Sequence, residues 1–354
     1  MRQRKRRIFQ TGCTSALALA LLIVCGCDGK GETNTGTPLR DATSLQTDAA
    51  LDDLSADASV DAGSTVDLDG VDQLSPDLAH RDDLGAPPTA IGISAEHPYD
   101  EQILSHRDVV FVEDFENANW AEKWGENSRP HCRTRATSAD RVQNGDHSLE
   151  LRIETEGECG GNGAAGWMTY WPDNGDTGYD ETYVRYYYRV SAGGNWSNNK
   201  IVQLHGHRLG VKYGTGAGVR PDGTYYAVGT GINGDNGPPW NVGILYTYHL
   251  NQPGNYGENF QPNQGNDPPI LEDQWYCKEF MVKTNDLGMA NGEQRMWLDD
   301  VLIVETTDLE LRVDEEIKTN MLMQPAYTSQ PGDRTLWLDS IVMATSRIGC
   351  MHRP

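Results

Sequence analysis

From residue 109 to residue 344 the chain carries no sustained helical period, and this absence most narrows what it can fold into. Apolar and aromatic residues recur instead in short runs, each closed by Gly, Asn, Asp or Pro. The runs fall at 109–115, 148–154, 166–170, 183–190, 200–209, 224–229, 243–248, 276–283, 294–298, 301–306, 318–324 and 335–344. Many short, aromatic-rich strands with turn punctuation predict an all-β fold, an antiparallel β-sandwich of jelly-roll type. The stretch 213–269 is loaded with Gly, Asn and Pro. It predicts long loops on one rim, where a rigid sheet tends to carry binding specificity.

Residues 183–208 hold the densest pattern. Side chains alternate faces along a strand, so Val184, Tyr186, Tyr188 and Val190 share one face of 183–190, and Tyr183, Arg185, Tyr187 and Arg189 share the other. After a Gly-Asn-Trp turn, Val202 and Leu204 point one way and Gln203, His205 and His207 the other. If the two strands are neighbours, Arg, Tyr, Gln and His line one sheet face. Such a face reads as the floor of a polar cleft.

The N-terminus reads as export machinery. Arg2 to Arg7 form a basic block, and the apolar run 16–24 that follows is too short to span a bilayer comfortably. The run ends in Val24, Cys25, Gly26 and Cys27, which resembles the bacterial lipobox. That resemblance implies a signal peptide over 1–26, with Cys27 as the lipidated first residue of a protein anchored in the cell envelope. Residues 27–88 follow as a low-complexity tether rich in Asp, including Asp52, Asp53, Asp57, Asp61, Asp67 and Asp69. Like charges and few aromatics predict a solvated linker. Much of the net charge of -23 therefore belongs to the tether. No basic patch or stripe is visible, which argues against a nucleic-acid partner. Residues 89–354 form the globular part, expected to act as a monomer.

Past Cys27 the chain holds Cys132, Cys159, Cys277 and Cys350. An even count in an exported chain favours disulfides, and three pairings are open. Cys132–Cys159, flanking a polar loop region, and Cys277–Cys350, pinning the C-terminus to a strand, are preferred. A structural zinc site is the alternative, without CxxC spacing to support it.

Five motifs in order carry a family resemblance: FVEDFE at 111–116, YVRYYY at 183–188, WYCKEFMVK at 275–283, NGEQRMWLDD at 291–300 and LWLDSIVMATS at 336–346. The chain resembles the concanavalin A-like jelly-roll polysaccharide lyases, in particular the glucuronan- and alginate-lyase-related group with its fungal cellulose-induced relatives. A lyase of this kind removes the proton beside a uronate carboxylate and protonates the departing glycosidic oxygen. The resemblance then implies Arg185 and Gln203 at the carboxylate, His205 as base, and Tyr327, in QPAYTS, as the cleft tyrosine. Tyr246 and Tyr248 are alternatives for the acid, and with Tyr183, Tyr187 and His207 they are the expected sugar-contacting residues. It further implies a structural calcium where the first and last strands meet, held by Glu116, Asn144, His147 through its backbone, and Asp339.

The expected function is β-elimination on an acidic polysaccharide outside the cytoplasm. The alternative is a non-catalytic carbohydrate-binding or adhesive lipoprotein. A retaining hydrolase is disfavoured, because no strand carries the Glu-x-Asp-x-Glu pattern that would set two carboxylates across a cleft.

Overall fold

The computed structural model describes residues 91–160, 164–194, 196–197, 199–212, 218–233, 242–265, 268–328 and 332–353. The expected signal peptide, Cys27 and the tether lie outside the described residues.

The strands, in chain order, are β1 (Val109–Glu113), β2 (Glu126–Asn127), β3 (Arg133–Ala136), β4 (Ser148–Ile153), β5 (Ala164–Tyr170), β6 (Glu181–Val190), β7 (Asn199–Lys200) and β8 (Gln203–Arg208). They continue with β9 (Tyr225–Asn233), β10 (Val242–Tyr248), β11 (Glu258–Phe260), β12 (Trp275–Lys283), β13 (Gly292–Leu298), β14 (Val301–Leu309), β15 (Ile317–Thr328) and β16 (Arg334–Ala344). Each run read from the sequence falls on one of them. The exception is 200–209, which a break at Ile201 and Val202 splits into β7 and β8. The remaining regular elements among the described residues are short 3-10 turns.

Among the described residues two eight-stranded sheets form a sandwich, and all their strand pairs are antiparallel. The first runs β14-β13-β12-β6-β16-β4-β3 with β1 also against β16, and the second runs β11-β10-β9-β8-β15-β5-β2 with β7 against β15. This is the jelly-roll architecture expected from the strand pattern. β16 borders β6 on one edge; on its other edge it meets β4 along Arg334 to Leu338, then β1 along Ile341 to Ala344. The handover falls at Asp339 and Ser340, where the ladder shifts register and Ser340 takes φ 47°.

The core lies between the sheets. Val184, Tyr186, Tyr188, Phe280, Val282, Met296 and Leu338 from the first sheet meet Leu204, Tyr226, Val228, Leu245 and Leu322 from the second. Burying a side chain such as Phe280 contributes about 1.5–3 kcal/mol relative to leaving it exposed. The Tyr186 hydroxyl crosses the core to Thr230 Oγ1 at 2.6 Å, so this buried hydroxyl is hydrogen-bonded. Both preferred disulfides are present, Cys132–Cys159 and Cys277–Cys350. The second ties the C-terminal tail to β12.

Candidate active site on the outer face of the second sheet

Leu204 and Leu322 belong to the core, so the alternation of β8 and β15 sends Gln203, His205, His207, Met321 and Met323 to the opposite, outer face. By the same rule Tyr225 and Ala227 of β9 and Tyr246 and Tyr248 of β10 lie on that face, where Tyr225, Ala227 and Tyr248 form a small apolar cluster with Tyr246 packed against it. Ladder pairing puts Tyr246, Gly229, Gln203 and Met323 in one row, and Tyr248, Ala227, His205 and Met321 in the next. Gly229 is required in the first row. A Cβ there would sit 2.6 Å from Gln203 Cγ and 2.7 Å from its Nε2, so the glycine gives the Gln203 amide its room.

Lys200 joins this face, a residue the strand reading passed over. Uninterrupted alternation from Gln203 would send it into the core. Ile201 and Val202 are both fully buried, however, and these two consecutive inward residues shift the parity. Lys200 Nζ consequently lies 4.8 Å from the Tyr246 ring centroid and 5.1 Å from that of Tyr327. Lys200 and Tyr327 are register partners between β7 and β15. The doubled apolar pair Ile201-Val202 is the one sequence signal that could have found it.

The histidines are electrically neutral in this setting. Burial holds His205 well below its ordinary value, and His207 and Lys200 add to the effect. His207 is pushed down to about 4 by burial, partly opposed by its contact with Asn320. His205 Nε2 lies 3.3 Å from Gln203 Oε1, a contact in which the Nε2–H tautomer is the donor. His207 Nδ1 lies 3.3 Å from Asn320 Oδ1, and the rings of the two histidines stack at 5.9 Å. Lys200 is lowered by burial. Tyr246 donates to the Tyr248 hydroxyl at 3.3 Å and accepts from the Gly257 N–H at 2.9 Å, while burial first, and Tyr246 with it, pushes the Tyr248 hydroxyl up.

Arg185, Tyr183 and Tyr187 are not part of this face, which corrects the sequence expectation. The parity assigned to β6 was right, but β6 pairs with β12 and β16 in the first sheet and not with β8. The connection between them is an arch from one sheet to the other, pinned by the buried Trp196, whose Nε1 donates to Ser191 O at 3.1 Å. The odd face of β6 therefore looks outward on the far side of the sandwich. The segment before β1 and the C-terminal tail cover it there: Arg185, fully buried, pairs at 2.5 Å with Asp100 of the 3-10 turn Pro98–Asp100. The Met351 N–H donates to the Tyr187 hydroxyl at 2.6 Å, and Tyr183 donates to Glu181 at 2.7 Å.

The four residues expected to hold calcium all gather at the turn 143–147, but not as an oxygen cage. Glu116 Oε1 accepts the N–H groups of Asp146 and His147, and its Oε2 meets His147 Nδ1 at 2.9 Å. Asp339 Oδ2 accepts the N–H groups of Gln143 and Asn144. Calcium wants six to eight oxygens; here N–H donors already face Glu116 Oε1 and Asp339 Oδ2, while burial pushes the Asp339 carboxyl up to about 7. The two carboxyl groups staple the turn directly. Among the described residues, the only trio of potential ligands drawn together is His131, Cys132 and Cys159, and its two cysteines form the disulfide.

No family model matches the chain. No curated protein matches it either. Solved structures do. A marine PL-14 alginate lyase from Aplysia kurodai superposes with a TM-score of 0.52 at 13% identity, over 67% of this chain and 99% of the other. The alginate lyase vAL-1 from Chlorella virus gives 0.51 at 11% identity, over 67% of this chain and 100% of the other. At such identities the likeness establishes a shared fold, the jelly roll of these lyases.

Proposed function

We propose that the protein is a polysaccharide lyase that cleaves a uronate polymer by β-elimination on the outer face of the second sheet. The observation that carries this reading is the convergence there of a cation, a neutral imidazole, an amide and a tyrosine hydroxyl: Lys200, His205, Gln203 and Tyr327. The shared fold of the two alginate lyases supports it.

In this mechanism the Lys200 ammonium and the Gln203 amide hold the uronate carboxylate and stabilise the charge that develops on it. His205 removes the proton from the carbon bearing that carboxylate. The released electron pair forms the carbon–carbon double bond, and the bond to the glycosidic oxygen breaks. The Tyr327 hydroxyl gives its proton to the departing oxygen. Lys200 here fills the place expected of Arg185.

The test is the absorbance of the unsaturated uronate product when the purified protein meets alginate, glucuronan and related polymers. His205→Ala and Tyr327→Phe should each lower kcat by roughly 10²–10⁴-fold. Lys200→Ala should lower kcat/KM by on the order of tenfold to a hundredfold, the worth of a hydrogen bond to a charged group. Binding of every polymer without any double-bond product would replace the lyase with a carbohydrate-binding protein.

A further inference from the structure

Met168 is fully buried in the core, so its neighbours on β5, Trp167 and Thr169, stand on the outer face of the second sheet. Trp167 is 41% exposed. The other described tryptophans are not exposed: Trp120, Trp124, Trp171, Trp196, Trp297 and Trp337 are buried and Trp275 is half-buried. An exposed apolar residue alone is ordinary. The placement of this one is not. Trp167 is the register partner of Pro325, two positions before Tyr327 on β15, and Thr169 is the partner of Met323 in the row that holds Gln203 and Tyr246.

Across the sheet the order is therefore β10, β9, β8, β15, β5. Half-buried Tyr246, backed by the buried Tyr225 and Tyr248, stands on one flank, Lys200, Gln203, His205 and Tyr327 in the middle, and Trp167 on the other flank. Four strand spacings separate the flanks, about 19 Å. Aromatic faces that bracket a polar centre suit a chain of pyranose rings, which have an apolar face for stacking and polar edges for hydrogen bonds. The Trp167 backbone is also held firmly. Its N–H donates to Ser128 Oγ at 2.8 Å and its carbonyl accepts the Ser128 N–H at 2.9 Å. The preceding Gly166 has φ 86°, and a Cβ on it would lie 2.5 Å from Ser128 O. A large half-open ring on a fixed backbone, with only two side-chain torsions, loses little entropy when a ligand settles on it.

We propose that Trp167 is the stacking platform of a distal sugar subsite, occupied by a pyranose residue of the same acidic chain whose neighbouring uronate sits at Lys200 and Gln203. The bound polymer then runs across the strands, from the Tyr246 flank to the Trp167 flank, and the site engages internal stretches of the chain. This inference rests on the proposed function for the identity of the ligand, though not for its cleavage.

The experiment measures equilibrium binding of alginate and glucuronan oligomers of increasing length, separately from product formation, to the wild type, Trp167→Ala and Trp167→Phe. Unchanged circular dichroism and melting temperature verify that the exposed position leaves the fold intact. Wild-type affinity should rise with length until the oligomer spans both flanks. Trp167→Ala should weaken binding of the long oligomers roughly tenfold, with Trp167→Phe recovering most of it. The change in tryptophan emission on binding should be smaller in either variant than in the wild type, the remainder coming from tryptophans such as Trp171 beside His207. Trp167→Ala binding every length as the wild type does would overturn the subsite, while product formation, if present, would leave the lyase intact. A length-dependent loss in a protein that never forms the double bond would uphold the subsite and remove the lyase. A wild type that binds no uronate oligomer would remove both.

Discussion

Removing the partner of Arg185 gives the sharpest test of which face of β6 matters, and why. The Arg185 side chain is 0% exposed and that of Asp100 only 9%, with Nη2 and Oδ2 2.5 Å apart. Burial by itself would pull the guanidinium down, but Asp100, joined by Tyr187 and Glu279, more than reverses it and holds the group charged. Glu279 stands opposite Arg185 in the ladder, yet its oxygens accept the N–H groups of Ile348 and Gly349 at 2.7 and 2.9 Å. Arg347 also meets it at 3.5 Å, so it is already shared among several partners. Asp100→Ala should thus leave a buried charge without its close partner, at a cost of about 3–5 kcal/mol. For a domain of this size that is a fall in Tm on the order of 10 °C. Urea unfolding reads the free energy directly. Converting both partners to apolar residues, Arg185→Met with Asp100→Leu, should recover most of the loss, because no unpaired charge remains. Uronate binding by the folded double variant should match the wild type, since Arg185 lies on the far side of the sandwich from Lys200. Asp100→Ala melting as the wild type does, or a double variant that is stable but no longer binds, would refute the assignment of Arg185 to a clasp that holds the segment before β1 on the first sheet.

Three further outcomes follow from the site and its surroundings. His207 has a folded value of about 4 against an ordinary 6.5, and His205 is depressed as well. A depressed histidine contributes stability that is fully present above pH 6.5 and is lost as pH falls toward the folded value, because the unfolded chain then binds the proton first. For His207 this amounts to about 3 kcal/mol between pH 6.5 and 4, visible in urea midpoints and reduced in His207→Gln. For the same reason the acid limb of kcat/KM should lie below pH 6.5 and not at it. Calcium is tested by melting the protein with chelator and with added ion: carboxylates already bound to N–H donors predict Tm values within about 1 °C, whereas a rise of several degrees on adding calcium would restore the four-ligand site.

Alternation alone determined most of the sandwich. Strand positions, the inward set Val184, Tyr186, Tyr188 and Leu204, and the shared face of Gln203 and His205 were all legible, because a period of two is a local property of an extended backbone. The disulfides were legible as far as parity of count and a preference among pairings. What the sequence alone could not decide is which strands are neighbours. The residues between Val190 and Asn199 connect two strands whether they form a hairpin within one sheet or an arch between sheets, and the choice depends on where Trp196 finds a core to enter. That choice removed Arg185, Tyr183 and Tyr187 from the site. A second decision was equally tertiary. The break at Ile201-Val202 reverses parity only because both side chains find room between the sheets, and it turns Lys200 from an expected core position into the cation beside Tyr246 and Tyr327. The turn at 143–147 makes the same point: a list of oxygen-bearing residues is readable in a sequence, but whether cations or N–H groups face them is settled by how the backbone folds around them.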